Sequence, residues 1–287
     1  MSSIALALLI ALPLAAPAPP AEPSTLAAQD PAPEGDDPPA ESAPDILLVT
    51  DRDRLLALYY GRHGGRDAVA GMRRLSMTLE FVEFDAETGE ERALEGFPPL
   101  YIELDYGTRA RRMRMESTTQ VGDEEQTVLR LTNCLDQSDL WIGGEPSDQP
   151  DARLETIFIA KQLTTLLDLL YRPDAAGMLM RVEGVRRRQG VEYLAAHIEF
   201  APARAVFAAF RTFYDQQSSL VARVDTFDAK TYRYVSTMLV EDYVTLGELR
   251  FPGRFVFLGP DGEPQRAWIM RDVALNPEVP DERFEAP

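Results

Sequence analysis

Apolar and polar positions change period along this chain. Leu55, Leu56 and Tyr59 fall at helical spacing, with Thr50 and Asp53 as a capping pair ahead of them. Gly61, Gly64 and Gly65 then end the stripe, and a short second helix is expected over 66–73. At Leu75 the period drops to two. Leu75, Met77, Leu79 and Phe81 alternate with Ser76, Thr78 and Glu80, the pattern of a half-buried strand. The alternation returns in Leu100, Ile102, Leu104 and Tyr106, and again in Met113 and Met115 against Arg112, Arg114 and Glu116.

Further strands are expected over 126–133, 140–143, 178–185, 191–200, 205–214, 220–226, 232–242, 255–258 and 265–275. Turn residues separate most of them: Glu87-Thr88-Gly89, Gly143-Gly144, Gln189-Gly190 and Gly259-Pro260-Asp261-Gly262. One long helix interrupts this series. From Asp151 to Tyr171 the residues Leu154, Ile157, Phe158, Leu163, Leu166, Leu167 and Leu170 make a broad apolar face, and Pro173 stops it. A long meander with few helices must bury one sheet face against something. The economical answer is an α+β domain in which a strongly curved antiparallel sheet wraps around its helices.

Composition divides the chain before that domain. Ile4 to Leu14 form an apolar run of eleven residues, suited to the core of a signal peptide and short of the ~20 residues a membrane span needs. Small residues follow, with Ala18 or Ala21 as the end of a leader over 1–21. Residues 22–45 are mostly Pro, Ala, Glu and Asp, too poor in large apolar side chains to offset chain entropy, so a disordered acidic linker is expected there. Seven of the 47 acids and none of the 29 basic residues lie in 19–50, so the folded part is less acidic than the net charge of −18 suggests. A single domain is expected over 46–287, in a protein exported to the periplasm or cell envelope.

The same composition removes most chemistries. Lys161 and Lys230 are the only lysines, and an acidic chain is poorly suited to neutralising nucleic-acid phosphates. Cys134 is the lone cysteine, which excludes an internal disulfide and a cysteine-rich zinc site. The glycines around His63 lack the Lys-Ser/Thr ending of a phosphate loop, and there is no Gly-x-Ser-x-Gly elbow. His197-Ile198-Glu199 places His197 and Glu199 on one face of a strand, without the downstream Cys-x-x-Cys of a zinc deaminase. Glu124-Glu125 and Glu241-Asp242 are neighbours on strands and point to opposite faces, so neither pair is arranged as an acid and base. No cofactor, metal or catalytic residue is expected. Arg109, Arg111, Arg112 and Arg114, with Arg186-Arg187-Arg188, read either as solvated faces or as a docking surface for anionic headgroups or an acidic partner.

The inward-facing positions are rich in methionine: Met77, Met113, Met115, Met178 and Met180, with Tyr106 and Phe81. Such a lining suits irregular apolar shapes. A solid core and a cavity for acyl chains both remain open on these residues, the solid core being favoured.

The helix ending in Gly64-Gly65 and the following MRRLSMTLEF (72–81) resemble the start of outer-membrane lipoprotein-sorting proteins of the LolA/LolB-like superfamily. TFYDQQSSLVARVDTF (212–227) is similar to that family's strand, Asp-containing turn and strand, and EDYVTLGELRFPGRFVF (241–257) to its next strand pair. WIMRDVALNPEVPDERFEAP (268–287) resembles its closing strand and tail. The resemblance implies a half-barrel whose concave apolar face is covered by helices and binds lipid or lipoprotein acyl chains. The expected ligand contacts are Met77, Leu79, Leu104, Met113, Met115 and Met180, with the helix at 151–171 as a lid. The expected partner is a lipid or an acylated lipoprotein, without catalysis and without a membrane span. The alternative is an envelope sensor or scaffold that binds a protein.

Overall fold

The computed structural model describes residues 51–107, 111–121, 124–133, 137–174, 178–200, 209–228 and 231–287. The leader expected over 1–21 and the linker over 22–45 lie outside these residues, as do 46–50, Arg109, Cys134, Lys230 and the first part of the strand expected over 205–214.

The chain opens with α1 (Arg52–Arg62) and α2 (Arg66–Gly71). The α1 cap lies one residue later than the sequence pattern suggests: the Asp51 carboxylate accepts the Asp53 N–H at 2.8 Å. At the other end the His63 N–H reaches back to Tyr59 and Tyr60, and Gly64 and Gly65 turn the chain with φ of 90° and 97°. Glycine is required at the first of these for a second reason, because a Cβ on Gly64 would sit 2.1 Å from the Glu248 carbonyl oxygen.

Seven strands follow: β1 (Arg74–Phe84), β2 (Glu91–Ala93), β3 (Leu100–Asp105), β4 (Met113–Val121), β5 (Glu124–Asn133), β6 (Gln137–Ile142) and β7 (Glu145–Pro146). The long helix α3 (Pro150–Tyr171) comes next, with proline in its first turn where no N–H is needed. The second half is β8 (Met178–Arg188), β9 (Val191–Phe200), β10 (Ala209–Asp215), β11 (Val221–Phe227), β12 (Tyr234–Glu241), the small hairpin β13 (Val244–Leu246) and β14 (Leu249–Phe251), then β15 (Arg254–Leu258) and β16 (Pro264–Leu275). Tyr232, placed by the alternation at the start of a strand, lies instead in the turn before β12.

Every pairing is antiparallel, in the order β7-β6-β5-β4-β3-β1-β16-β15-β12-β11-β10-β9-β8, with β2 added beside β1. The first long strand and the last pair at the centre, so the two halves of the chain close on each other through β1 and β16. A twisted sheet of this width curls. Its ends, β7 and β8, stay unpaired with each other, which gives a half-barrel rather than a closed barrel. The main core lies on one face, where helices and strands share a single apolar cluster. Among the described residues no helix is long and apolar enough to cross a membrane.

Gly64→Ala is expected to cost about 2–4 kcal/mol, from left-handed strain plus backbone displacement. Urea unfolding measures it, and a loss below about 1 kcal/mol would contradict the close approach of α1 to the β13–β14 turn.

Candidate functional site

Cross-strand register assembles the concave face. Met77 stands opposite Ile102, which stands opposite Met115; Leu75, Leu104 and Met113 form the next row. Leu79 lies between Leu100 and Met270 on the same face of β1. Met77, Leu79, Leu104, Met113 and Met115 are therefore neighbours on β1, β3 and β4, and all five are fully buried in the main cluster. Met180 is set apart on β8, opposite Ile198, and is half-buried at the margin of that cluster.

The C-terminal half of α3 belongs to the same buried cluster. Leu163 to Tyr171 are nine consecutive buried residues, so this part of the helix is enclosed on all sides rather than lying on a surface. The N-terminal half is different: Leu154 is 59% exposed, and only Thr156, Ile159 and Ala160 are buried before Leu163.

A polar clamp holds the buried half. The Asp168 carboxylate accepts Arg111 Nη1 at 2.6 Å, Arg111 Nη2 at 3.0 Å and the Tyr106 hydroxyl at 2.6 Å. Arg172 stacks over the Tyr106 ring at 4.1 Å and donates to the Met72 carbonyl at 3.2 Å. Tyr171 donates its hydroxyl to the Arg250 carbonyl at 2.8 Å. A bidentate, partly desolvated guanidinium–carboxylate pair of this kind is strongly directional.

α3 packs against β5 and β6. Thr132 Oγ1 and Ser138 Oγ, facing each other across those strands, are buried without a hydrogen-bond partner among the described residues. Gln162 Oε1 and Thr165 Oγ1 on α3 are in the same condition. Arg130 of β5 stands opposite Met115 and donates to Ser117 Oγ at 3.0 Å. Burial pushes the Arg130 guanidinium pKa down and the Glu155 carboxyl pKa up, while each charge favours the other. Apolar floor and polar rim thus meet beneath the helix.

No family model and no curated protein matches the sequence. Among solved structures, the fold is similar to a DUF1329 family protein from Desulfovibrio piger, with a TM-score of 0.51, 10% identity, and coverage of 81% of this chain and 96% of that one. A LolA superfamily protein from Nitrosomonas europaea aligns at a TM-score of 0.46 and 11% identity over 76% of this chain and 94% of its own, too loosely to carry a conclusion alone. The curved antiparallel half-barrel with few helices is the α+β fold class expected of the chain.

Within this fold the arginine patch at 111–114 is committed to the protein itself. Arg111 holds Asp168, Arg112 pairs with Asp105 at 2.8 Å and Asp281 at 3.2 Å, and Arg114 lies between Glu103 and Glu116. The C-terminal tail completes the network, because Arg283 reaches Glu103 at 3.1 Å and Arg112 stacks on Phe284 at 4.9 Å. Among the described residues no group of three or more His, Asp or Glu side chains is placed to hold a metal ion.

Sequence pattern alone missed Arg130, Asp168 and the role of His63. The His63 ring is fully buried between Tyr59, Tyr171 and Tyr243, with ring centroids 4.4, 5.4 and 6.1 Å away. Its Nδ1 lies 3.1 Å from the Arg250 carbonyl, whereas Nε2 and the Tyr59 hydroxyl have no partner among the described residues. Burial lowers the His63 pKa from 6.5 to about 4 and, nearby, raises that of Tyr214 to about 12.

The unfolded chain therefore takes up a proton near pH 6.5 that folded His63 refuses until about pH 4. Its contribution is complete above pH 6.5 and is lost as pH falls towards 4, on the order of 3 kcal/mol in all. Unfolding midpoints of wild type and His63→Phe, compared from neutral pH downward, should converge as pH falls; parallel profiles would contradict it.

Proposed function

We propose that this is an exported, non-enzymatic protein that takes acyl chains of a lipid or lipoprotein onto the concave face, with α3 as the displaceable cover. The observation that carries this reading is the division of α3: a C-terminal half buried throughout and clamped at Asp168, and an N-terminal half that is only partly buried. A partly buried helix end opens at lower cost than an enclosed one. Opening from that end begins near Arg130, whose charge interacts with that of Glu155 in the N-terminal half of α3, and Arg130 and Ser117 stand beside Met115 at the rim where a carboxylate or phosphate headgroup would sit. Met77, Leu79 and Leu104 form the deeper floor, and Met180 the far margin. Acyl surface buried there contributes roughly 25 cal/mol per Å², enough to replace the contacts of the displaced helix turns.

A second reading rests on β8, the terminal strand of the sheet path. Leu179 is 72% exposed near one end of β8, and Arg186 and Arg187 are exposed near the other, features that suit a protein partner added along the edge. Partner capture that depends on Leu179 and occurs without lipid uptake would favour it.

Native mass spectrometry of the protein taken from its own envelope is expected to show a bound lipid mass. Asp168→Asn, which loosens the clamp, is expected to speed uptake of an environment-sensitive acyl dye several-fold and to lower stability by about 2 kcal/mol. A clean unliganded mass, with no dye uptake by either protein, would sink the reading.

A further inference from the structure

A second depression lies on the opposite face of the sheet, across β8 to β11. It has a volume of about 320 Å³ and is lined by Arg181, Glu183, His197, Glu199, Arg211, Phe227 and Tyr232. That is at the lower end of the size of small-molecule sites, ~300–1,000 Å³. We infer that it is a binding site for a soluble neutral saccharide.

The charges argue for a neutral ligand. Arg211 Nε lies 2.7 Å from Glu183 Oε2, and Arg181 lies 4.0 Å from the same carboxylate. His197 Nε2 lies 3.0 Å from Glu199 Oε1. Two guanidiniums thus face two carboxylates within one depression, with no net charge to draw an anion or a cation. What they offer is a fixed set of donors and acceptors on planar groups, which hydroxyl groups, acting as both, can bridge. The floor is rigid, because the Arg211 guanidinium lies over the Phe227 ring at 5.3 Å while Glu183 holds its edge.

The second observation is the conformation of Tyr232. Three hairpin turns share one construction, starting at Asp85, Asp215 and Asp228. In each, the Asp Oδ1 accepts both the N–H and the hydroxyl of the Thr or Ser three residues on, namely Thr88, Ser218 and Thr231. In each, the next residue donates its N–H to the Asp carbonyl and has positive φ. That residue is Gly89 in the first turn and Ser219 in the second, but Tyr232 in the third, with φ of 53°. A bulky residue in the left-handed region is strained, and such strain persists where it serves a purpose. Here it presents a ring 59% exposed at the rim of the depression, next to Phe227, which packs edge-on against the half-exposed Tyr234. Flat aromatic faces beside paired planar polar groups are suited to the apolar C–H face and hydroxyl edge of a sugar ring.

Ligand-observed saturation-transfer NMR on the full chain tests this, with maltose, cellobiose, lactose and N,N′-diacetylchitobiose as probes and inorganic phosphate as the anionic comparison. At least one disaccharide is expected to bind, phosphate is expected not to compete, and Tyr232→Gly is expected to weaken binding by about tenfold or more. The same variant, matching the turn at Gly89, is expected to keep or raise the melting temperature, which separates loss of the site from loss of fold. Absence of binding by all four sugars would overturn the inference. Binding unchanged in Tyr232→Gly, or phosphate binding that depends on Arg181 and Arg211, would overturn it equally.

Discussion

The concave apolar face must be covered, and the helix that covers it is the constraint on which the rest of the structure depends. Leu163 to Tyr171 have no exposed side, so the half-barrel closes around this segment as around any other core residue. The strands position their methionines and leucines by register, and α3 shares with α1 and the β13–β14 hairpin the buried cluster in which those side chains lie. The same fact limits the helix. A segment enclosed on all sides is stabilised by packing, whereas its N-terminal continuation, with Leu154 59% exposed and Gln162 Oε1 without a partner among the described residues, is only partly buried. Asp168 marks the boundary between the two regimes.

Charge on this chain is organised by cross-strand placement rather than by total. The arginines at 112 and 114 lie among Glu103 and Asp105 of β3 and Glu116 of β4, and the tail adds Asp281 and Arg283 to the same layer. Partly buried pairs of this sort fix register and hold the tail down more than they add stability. On β8 to β11 the same alternation leaves a depression, and there the paired groups border exposed aromatic rings instead of a tail. One device thus produces a sealed surface at one end of the sheet and an open one at the other.

Strands and the long helix were legible because burial on one face imprints its period on the sequence: Leu75 to Phe81 and Leu163 to Leu170 declare their neighbours' side without naming them. The pairing of the first and last long strands matches the resemblance of 72–81 and 268–287 to opposite ends of one family fold. What stayed hidden depends on residues distant in sequence. Asp168 reads as a polar interruption in an apolar helix until Arg111, 57 residues away, is set against it. Arg130 reads as a solvent-facing strand residue, since nothing local says that α3 passes over it. Tyr232 reads as the start of a strand because its ring and β-branched neighbour Thr231 favour one, and only the Asp228 turn overrides that preference. Met77, Leu79, Leu104, Met113 and Met115 are neighbours on β1, β3 and β4 while Met180 stands apart on β8, an arrangement that depends on strand pairing rather than on local period.

The central claim is that α3 is two helices in stability though one in geometry, and that acyl chains enter from its weaker half. Hydrogen exchange resolved along 150–171, with and without phospholipid vesicles, tests this most directly. The account predicts that amides of 150–162 exchange faster than those of 163–171, and that lipid accelerates the first group while β1, β3 and β4 stay protected. Uniform protection along α3, equal to that of the central strands and unchanged by lipid, would contradict it.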